Sequence, residues 1–171
     1  SISACSTCNG KSVSEKLILL QAMESTTLLN DLLSSDATKI WSAAGAILNS
    51  WDRPMLLELA QQLPEIRQKT KGIDLGGMLH PNAVHLENAL RRIEYVRDSQ
   101  SCLCKLYGAT QFDNPQQESE RGNVKILETK FADGYYVDYY TCECQHCHSK
   151  YHVTEREYHY TWWGWSALNP T

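Results

Sequence analysis

The chain has 171 residues, 42% of them hydrophobic and 21% charged, a composition of soluble globular proteins with room for one ordinary domain or two small ones. No stretch approaches the ~18 apolar residues that a membrane span needs. The net charge of −4 divides unevenly: residues 1–100 carry ten Lys/Arg and eleven Asp/Glu, residues 101–171 six and nine. A nucleic-acid module normally shows a basic face, so an acidic C-terminal part argues against DNA or RNA and for a basic protein partner.

Residue types change near position 100. The first hundred residues hold Trp41, Trp51 and Tyr95 as their only aromatics and are rich in Leu, Ala, Gln and Glu; thirteen more aromatics follow, among Val and Thr. The first set favours helices and the second strands. The expected fold is therefore α+β, with a small helical bundle (HEAT-like at most) over 1–100 and a small antiparallel zinc-ribbon-like β domain over 101–171.

In chain order, Ser12 and Glu15 have the spacing of a capping box for a first helix through "EKLILLQAMESTTLLNDLL". A second helix, "SSDATKIWSAAGAILNSW", starts at a Ser35 or Asp36 cap and ends near Asn49. Asp52 caps a third with Pro54 in its first turn, and Pro64 ends or kinks it. "KGIDLGGMLHP" reads as a loop, after which Asn82 caps a last helix with Val84, Leu86, Leu90, Ile93 and Val96 on one face. No period of 34 to 47 residues points to a repeat array.

The second half opens at "CLCKLYGATQF" and continues through "DNPQQESERGN", a polar stretch of turn formers. "VKILETKF" and "YYVDYYTCEC" alternate as strands with "ADG" as a turn between them, and "KYHVTEREYHYTWWGW" continues as one or two more. In the last segment Arg156, Tyr158, Tyr160 and Trp162 share one face in an extended reading, and Glu155, Glu157 and His159 the other. A sheet this small has little core, which is the usual reason for a metal clamp.

The cysteines supply candidates for that clamp. Cys5 and Cys8 form a C-x-x-C, Cys102 and Cys104 a C-x-C, and Cys142, Cys144 and Cys147 a C-x-C-x-x-C beside His146, His148 and His152. Two thiolates at a tight turn can both reach a zinc ion at about 2.3 Å, and two such pairs complete a tetrahedron. Disulfides fit less well, given seven cysteines and no secretory signal in the first twenty residues, so a reduced, cytoplasmic setting is expected. Cys144 and Cys147 are the firmest pair. Cys102 and Cys104 are their favoured partners, with Cys5 and Cys8 the alternative; a second site would then use Cys5, Cys8 and Cys142. Four thiolates suit structural zinc and also iron.

No catalytic constellation stands beside these ligands: H-E-x-x-H, a deaminase H-x-E…P-C-x-x-C and a phosphate-cradling glycine loop are all missing from the sequence. The expected protein is non-enzymatic. "EREYHYTWWGW" supplies either core for a thin sheet or a partner surface, since Trp, Tyr and Arg dominate interface hot spots. In the second case Asp133, Asp138, Glu155 and Glu157 would steer a basic partner, and Trp163 or Trp165 would anchor it. A zinc-ribbon nucleic-acid or regulatory module is the runner-up, needing a basic stripe from Arg91, Arg92, Arg97 and Lys105. A zinc hydrolase or redox enzyme is a third reading.

"CLCKLYG", "CECQHC" and "EREYHYTWWGW" resemble a group of small bacterial cytosolic proteins. These share a C-x-C, an Asn-Pro turn followed by acidic residues, a C-x-C-x-x-C and a terminal "EREYHYTWWxW". The loop and helix "LGGMLHPNAVHLENAL" stands ahead of their metal segment. The resemblance covers residues 72–165 and leaves out Cys5 and Cys8. Proteins of this size and style are common as immunity partners beside bacterial polymorphic toxins, and that is the role expected here. One departure is His148, where the group's turn would carry Gly.

Overall fold

A computed structural model describes residues 13–77, 82–157 and 159–168. The expectations for Ser12, Cys5 and Cys8 lie outside the described residues. The chain divides into two compact units, Ser1–Ser99 and Gln100–Thr171. The first is helical and the second carries an antiparallel sheet, an α+β chain.

The first unit contains α1 (Val13–Leu33), α2 (Ala37–Asn49), α3 (Arg53–Gln61), α4 (Leu63–Thr70) and α5 (Asn82–Asp98). Among the described residues, no helix is long and apolar enough to cross a membrane. Local chemistry sets several ends. The Asp36 carboxylate accepts the Thr38 and Lys39 N–H groups at 2.9 and 3.2 Å, satisfying donors that the first turn of α2 leaves free. Asp52 does the same for Met55 at 3.0 Å, with Pro54 in the first turn of α3. Pro64 then opens α4. Asn82 is the first residue of α5, and its side-chain amide donates back to the Leu75 carbonyl at 2.8 Å.

Ile40, Ala44 and Ile47 of α2, Leu56 and Leu59 of α3, Leu63 and Ile66 of α4, and Leu86, Leu90, Ile93 and Val96 of α5 form the buried core, each branched side chain contributing roughly 1.5–3 kcal/mol where fully covered. Val84 departs from the expected α5 face and is exposed. Arg92 is buried instead. Its guanidinium donates twice to the Ser50 carbonyl, at 3.0 and 2.7 Å, and lies over the Trp51 ring.

The second unit is a four-stranded antiparallel meander in the order β1 (Val124–Ala132), β2 (Tyr136–Cys144), β3 (Lys150–Glu157), β4 (Thr161–Ala167). Val124, Tyr140, Cys142, Cys144, Tyr151, Val153 and Trp165 are buried on one face. Residues 102–123 pack there through the 3-10 turn Leu103–Leu106 and α6 (Pro115–Glu120). Two expectations change. "DNPQQESERGN" contains α6, because the Asn114 side chain caps Gln116 and Gln117 and Pro115 occupies the first turn. "EREYHYTWWGW" takes the two-strand alternative, a hairpin with Arg156 opposite Trp162 and Glu155 opposite Trp163, so the face expected along one strand is split between two. Arg156 and Trp162 share a face across two strands, while Tyr160 lies outside both strands and Tyr158 outside the described residues.

Two glycines permit close approaches in this unit. Gly108 has φ +87°, and a Cβ there would sit 3.0 Å from the Trp165 carbonyl oxygen. A Cβ on Gly164 would come within 2.8 Å of Thr154 Oγ1, on the face where the Trp162 ring also lies.

Candidate metal centre

The C-x-C sits on the 3-10 turn and not on a strand. Cys102 precedes the turn and Cys104 lies within it, where the Lys105 and Tyr107 N–H groups donate back to their carbonyls at 3.1 Å each. Both thiols thereby come to one side of a tight bend. Cys144 ends β2, and the chain reverses through "QHCHS" to β3. That reversal is closed by His148 N–H on the Cys144 carbonyl and by Cys144 N–H on the Ser149 carbonyl, both at 2.9 Å. The His146 N–H points at the Cys144 sulfur at 3.4 Å.

These two bends bring Cys102, Cys104, Cys144 and Cys147 together, their four sulfur atoms all within 4.8 Å of one another. The Cys102–Cys144 separation is 3.7 Å and the Cys104–Cys147 separation 3.3 Å. A tetrahedral ion with sulfur ligands at about 2.3 Å places its sulfurs about 3.8 Å apart, so the cluster needs little adjustment to close on a metal. None of the four is in a disulfide, nor is Cys142. Donor type and geometry fit a tetrahedral thiolate-bound metal ion.

The thiols already behave as a set. The Cys104 thiol donating to Cys144 brings the Cys144 thiol down to about 4 against the opposing effect of burial, helped by the His146 and Cys147 N–H groups. Cys104 moves far up for the reciprocal reason, and burial raises Cys102 to about 11. A thiolate ringed by protonated thiols is a site where a cation can replace protons. Cys142 is pushed up to about 12 by burial. It faces Ile126 and Tyr151 across the sheet and is not among the clustered thiols.

Neighbouring residues hold the cluster in place. The Tyr151 hydroxyl donates to the Cys104 carbonyl at 3.0 Å and to its sulfur at 3.2 Å. Tyr151 meets Tyr107 edge-on, and Tyr107 stacks on Trp165 with ring centroids 4.1 Å apart. Tyr107 also donates to the buried Glu118 carboxylate at 2.6 Å, and burial first, then that carboxylate, keeps its hydroxyl protonated. Glu118 further accepts from Arg121 at 2.7 Å and Asn123 at 2.9 Å. Asn123 reaches the metal turn, its carbonyl accepting the Gln145 N–H at 2.9 Å and its side-chain oxygen lying 3.4 Å from His146 Nε2. Sequence reasoning missed Tyr107, Glu118, Asn123 and Tyr151. Only Glu118 had a local signal, three residues into a helix opened by Asn-Pro.

His148 has φ +60°, in the left-handed region where Gly is at ease, and Nδ1 lies 3.2 Å from the Glu143 carboxylate. The departure from Gly therefore falls at a position whose backbone favours Gly. His148→Gly is expected to be neutral to stabilising by about 0.5–1 kcal/mol in urea denaturation, because relief of strain outweighs loss of an exposed ion pair and added unfolded-state freedom. A loss above about 1 kcal/mol would show that the ion pair dominates instead.

The expected partner residues are not equivalent. Asp133 is exposed at the β1–β2 turn with φ +49°. Asp138 pairs with Arg156 at 3.1 Å. Glu155 accepts from Tyr140 and Trp163 at 2.9 and 3.0 Å, whereas Glu157 is exposed. Trp163 is half-buried. Trp165 is 8% exposed, so it belongs to the core and is no surface anchor; its indole N–H donates to the Asp113 carbonyl at 2.7 Å. Of the suggested basic stripe, Arg92 is buried, Arg97 pairs with Asp98 and Arg91 with Glu87. Comparison with protein-family models, curated proteins and solved structures finds no match for this chain.

Proposed function

We propose that the chain is a non-enzymatic protein-binding protein stapled by structural zinc through Cys102, Cys104, Cys144 and Cys147, and that it acts as an immunity protein neutralising a basic toxin domain. Four thiolates fill the four positions of a tetrahedral ion and leave none for substrate, which supports a structural role over a catalytic one. The observation that carries the binding role is the exposed aromatic end of the β1–β2 hairpin. Tyr135 is 85%, Tyr136 72% and Phe131 52% exposed beside Asp133. Clustered exposed aromatics of this size mark interaction sites more often than idle surface. Nearby carboxylates favour a cationic partner.

The test is mass spectrometry of the intact, untagged assembly purified from the native host. About one zinc per chain and a basic protein bound at fixed stoichiometry is the expected result. A zinc-loaded chain that carries no partner would overturn the binding reading, and a metal-free chain would overturn the staple.

A further inference from the structure

The sheet forks. β2 and β3 pair only from Glu143↔Lys150 to Tyr139↔Thr154, yet β1 and β2 stay paired out to Ala132↔Tyr136 and β3 and β4 out to Glu157↔Thr161. Beyond Tyr139 and Thr154 the two hairpins therefore part, leaving a cleft of about 560 Å³ lined by Tyr136, Val137, Asp138, Glu155, Arg156 and Glu157. Among the described residues, positions 136–138 and 155–157 make no ladder with each other across it.

The cleft has a sign. Asp138, Glu155 and Glu157 line it with one cation, Arg156; of the three carboxylates Asp138 holds that guanidinium, while Glu155 accepts from Tyr140 and Trp163. That guanidinium shows what the fork holds: Arg156 donates to the Asp138 carbonyl at 2.9 Å, to its carboxylate at 3.1 Å and to the Glu155 carbonyl at 2.6 Å. A cation is thus already seated by strand carbonyls and a carboxylate, with Glu157 exposed beside it. Tyr136, 72% exposed, adds apolar surface at the rim. Acidic lining disfavours nucleic acid, and strand edges favour an extended chain.

We propose that the fork between β2 and β3 is a docking slot for an extended, lysine- or arginine-bearing segment of the partner protein. This rests on the protein-binding reading above. The incoming cation engages Asp138 and Glu157 in competition with Arg156, and the segment's backbone pairs with the open strand edges.

The experiment uses the isotopically labelled full chain and a short peptide alternating lysine and valine, with a glutamate–valine peptide as control. The expected NMR shifts fall at 132–138 and 155–157, with the lysine peptide alone. Asp138→Asn combined with Glu157→Gln should weaken binding at least ~10-fold, and Arg156→Gln should strengthen it a few-fold by freeing Asp138. Shifts elsewhere, no binding, or a double variant that binds like the parent would overturn the slot. A native partner retained undiminished by the double variant would sink the slot and leave the protein-binding reading standing. A parent chain that captures no partner from its host would sink both.

Discussion

Cys144→Ser is expected to unfold the sheet unit and abolish metal binding, while the helices of residues 13–98 keep their far-ultraviolet signal. The substitution changes little volume, so its effect is the loss of a thiolate ligand. Structural zinc contributes apparent binding energies of ~10–16 kcal/mol in small zinc domains, against total stabilities of ~5–15 kcal/mol for ordinary domains. The sheet has a thin core of its own, with Leu103, Val124, Tyr140, Tyr151, Val153 and Trp165 as its main buried side chains. The metal term should therefore decide whether this unit folds. Near-ultraviolet circular dichroism is a direct readout, since Trp162, Trp163 and Trp165 all belong to β4. Metal content should fall with it. A chelator should reproduce the effect on the unchanged chain, and so should acid, because protons compete for the thiolates. Cys142→Ala is the control. Cys142 is buried but apart from the cluster, so this variant should keep its metal and lose only the stability of a small cavity. A Cys144→Ser chain with unchanged tryptophan signals would show that packing alone holds the sheet.

What could be read from the sequence was local chemistry. Asp36 and Asp52 announce helix starts because a cap needs only its own next turn, and Pro54 suits the first turn because the N–H it lacks would be unbonded there anyway. The cysteine pairs were legible because C-x-C and C-x-x-C spacing constrains a single bend. The missing glycine at His148 pointed at a real backbone requirement, a left-handed residue at the end of the metal turn. What stayed hidden depends on contacts distant in sequence. Nothing near Tyr107 says that it will stack on Trp165, and nothing near Trp165 says that its N–H will find Asp113. The fork was hidden too. Alternation along Tyr136–Cys144 and Lys150–Glu157 suggests full pairing, and only the three-dimensional register shows where it stops. α6 is a different case, since Asn114, Pro115 and Glu118 carried its start signal within a stretch that composition alone assigns to turns.

Trp165→Ala is expected to destabilise the sheet unit by ~3–5 kcal/mol, the usual cost of deleting a buried large aromatic, with loss of its ring contacts included. Trp165 stacks on Tyr107, meets Tyr151 at 71° with centroids 5.6 Å apart, and donates to Asp113. Tyr151 in turn donates to Cys104, so the cavity opens next to a ligand of the metal centre. The variant should therefore also hold its metal less tightly, seen as faster transfer to a chromogenic chelator. Trp165→Phe separates the contributions. It keeps a ring against Tyr107 but leaves the Asp113 carbonyl without its indole donor, at a cost of about 1–2 kcal/mol in smaller volume and lost hydrogen bond. Denaturant midpoints of the metal-loaded chains measure both. A surface anchor would behave in the opposite way. An exposed tryptophan at an interface can be truncated with little change in the free protein's midpoint and a large loss of affinity. If Trp165→Ala leaves the midpoint where it was and removes partner binding, the indole is not core and the packing around Tyr107 has been misassigned. If the midpoint falls as expected, the aromatic surface offered to a partner is that of Phe131, Tyr135 and Tyr136, at the far end of the β1–β2 hairpin from Cys144.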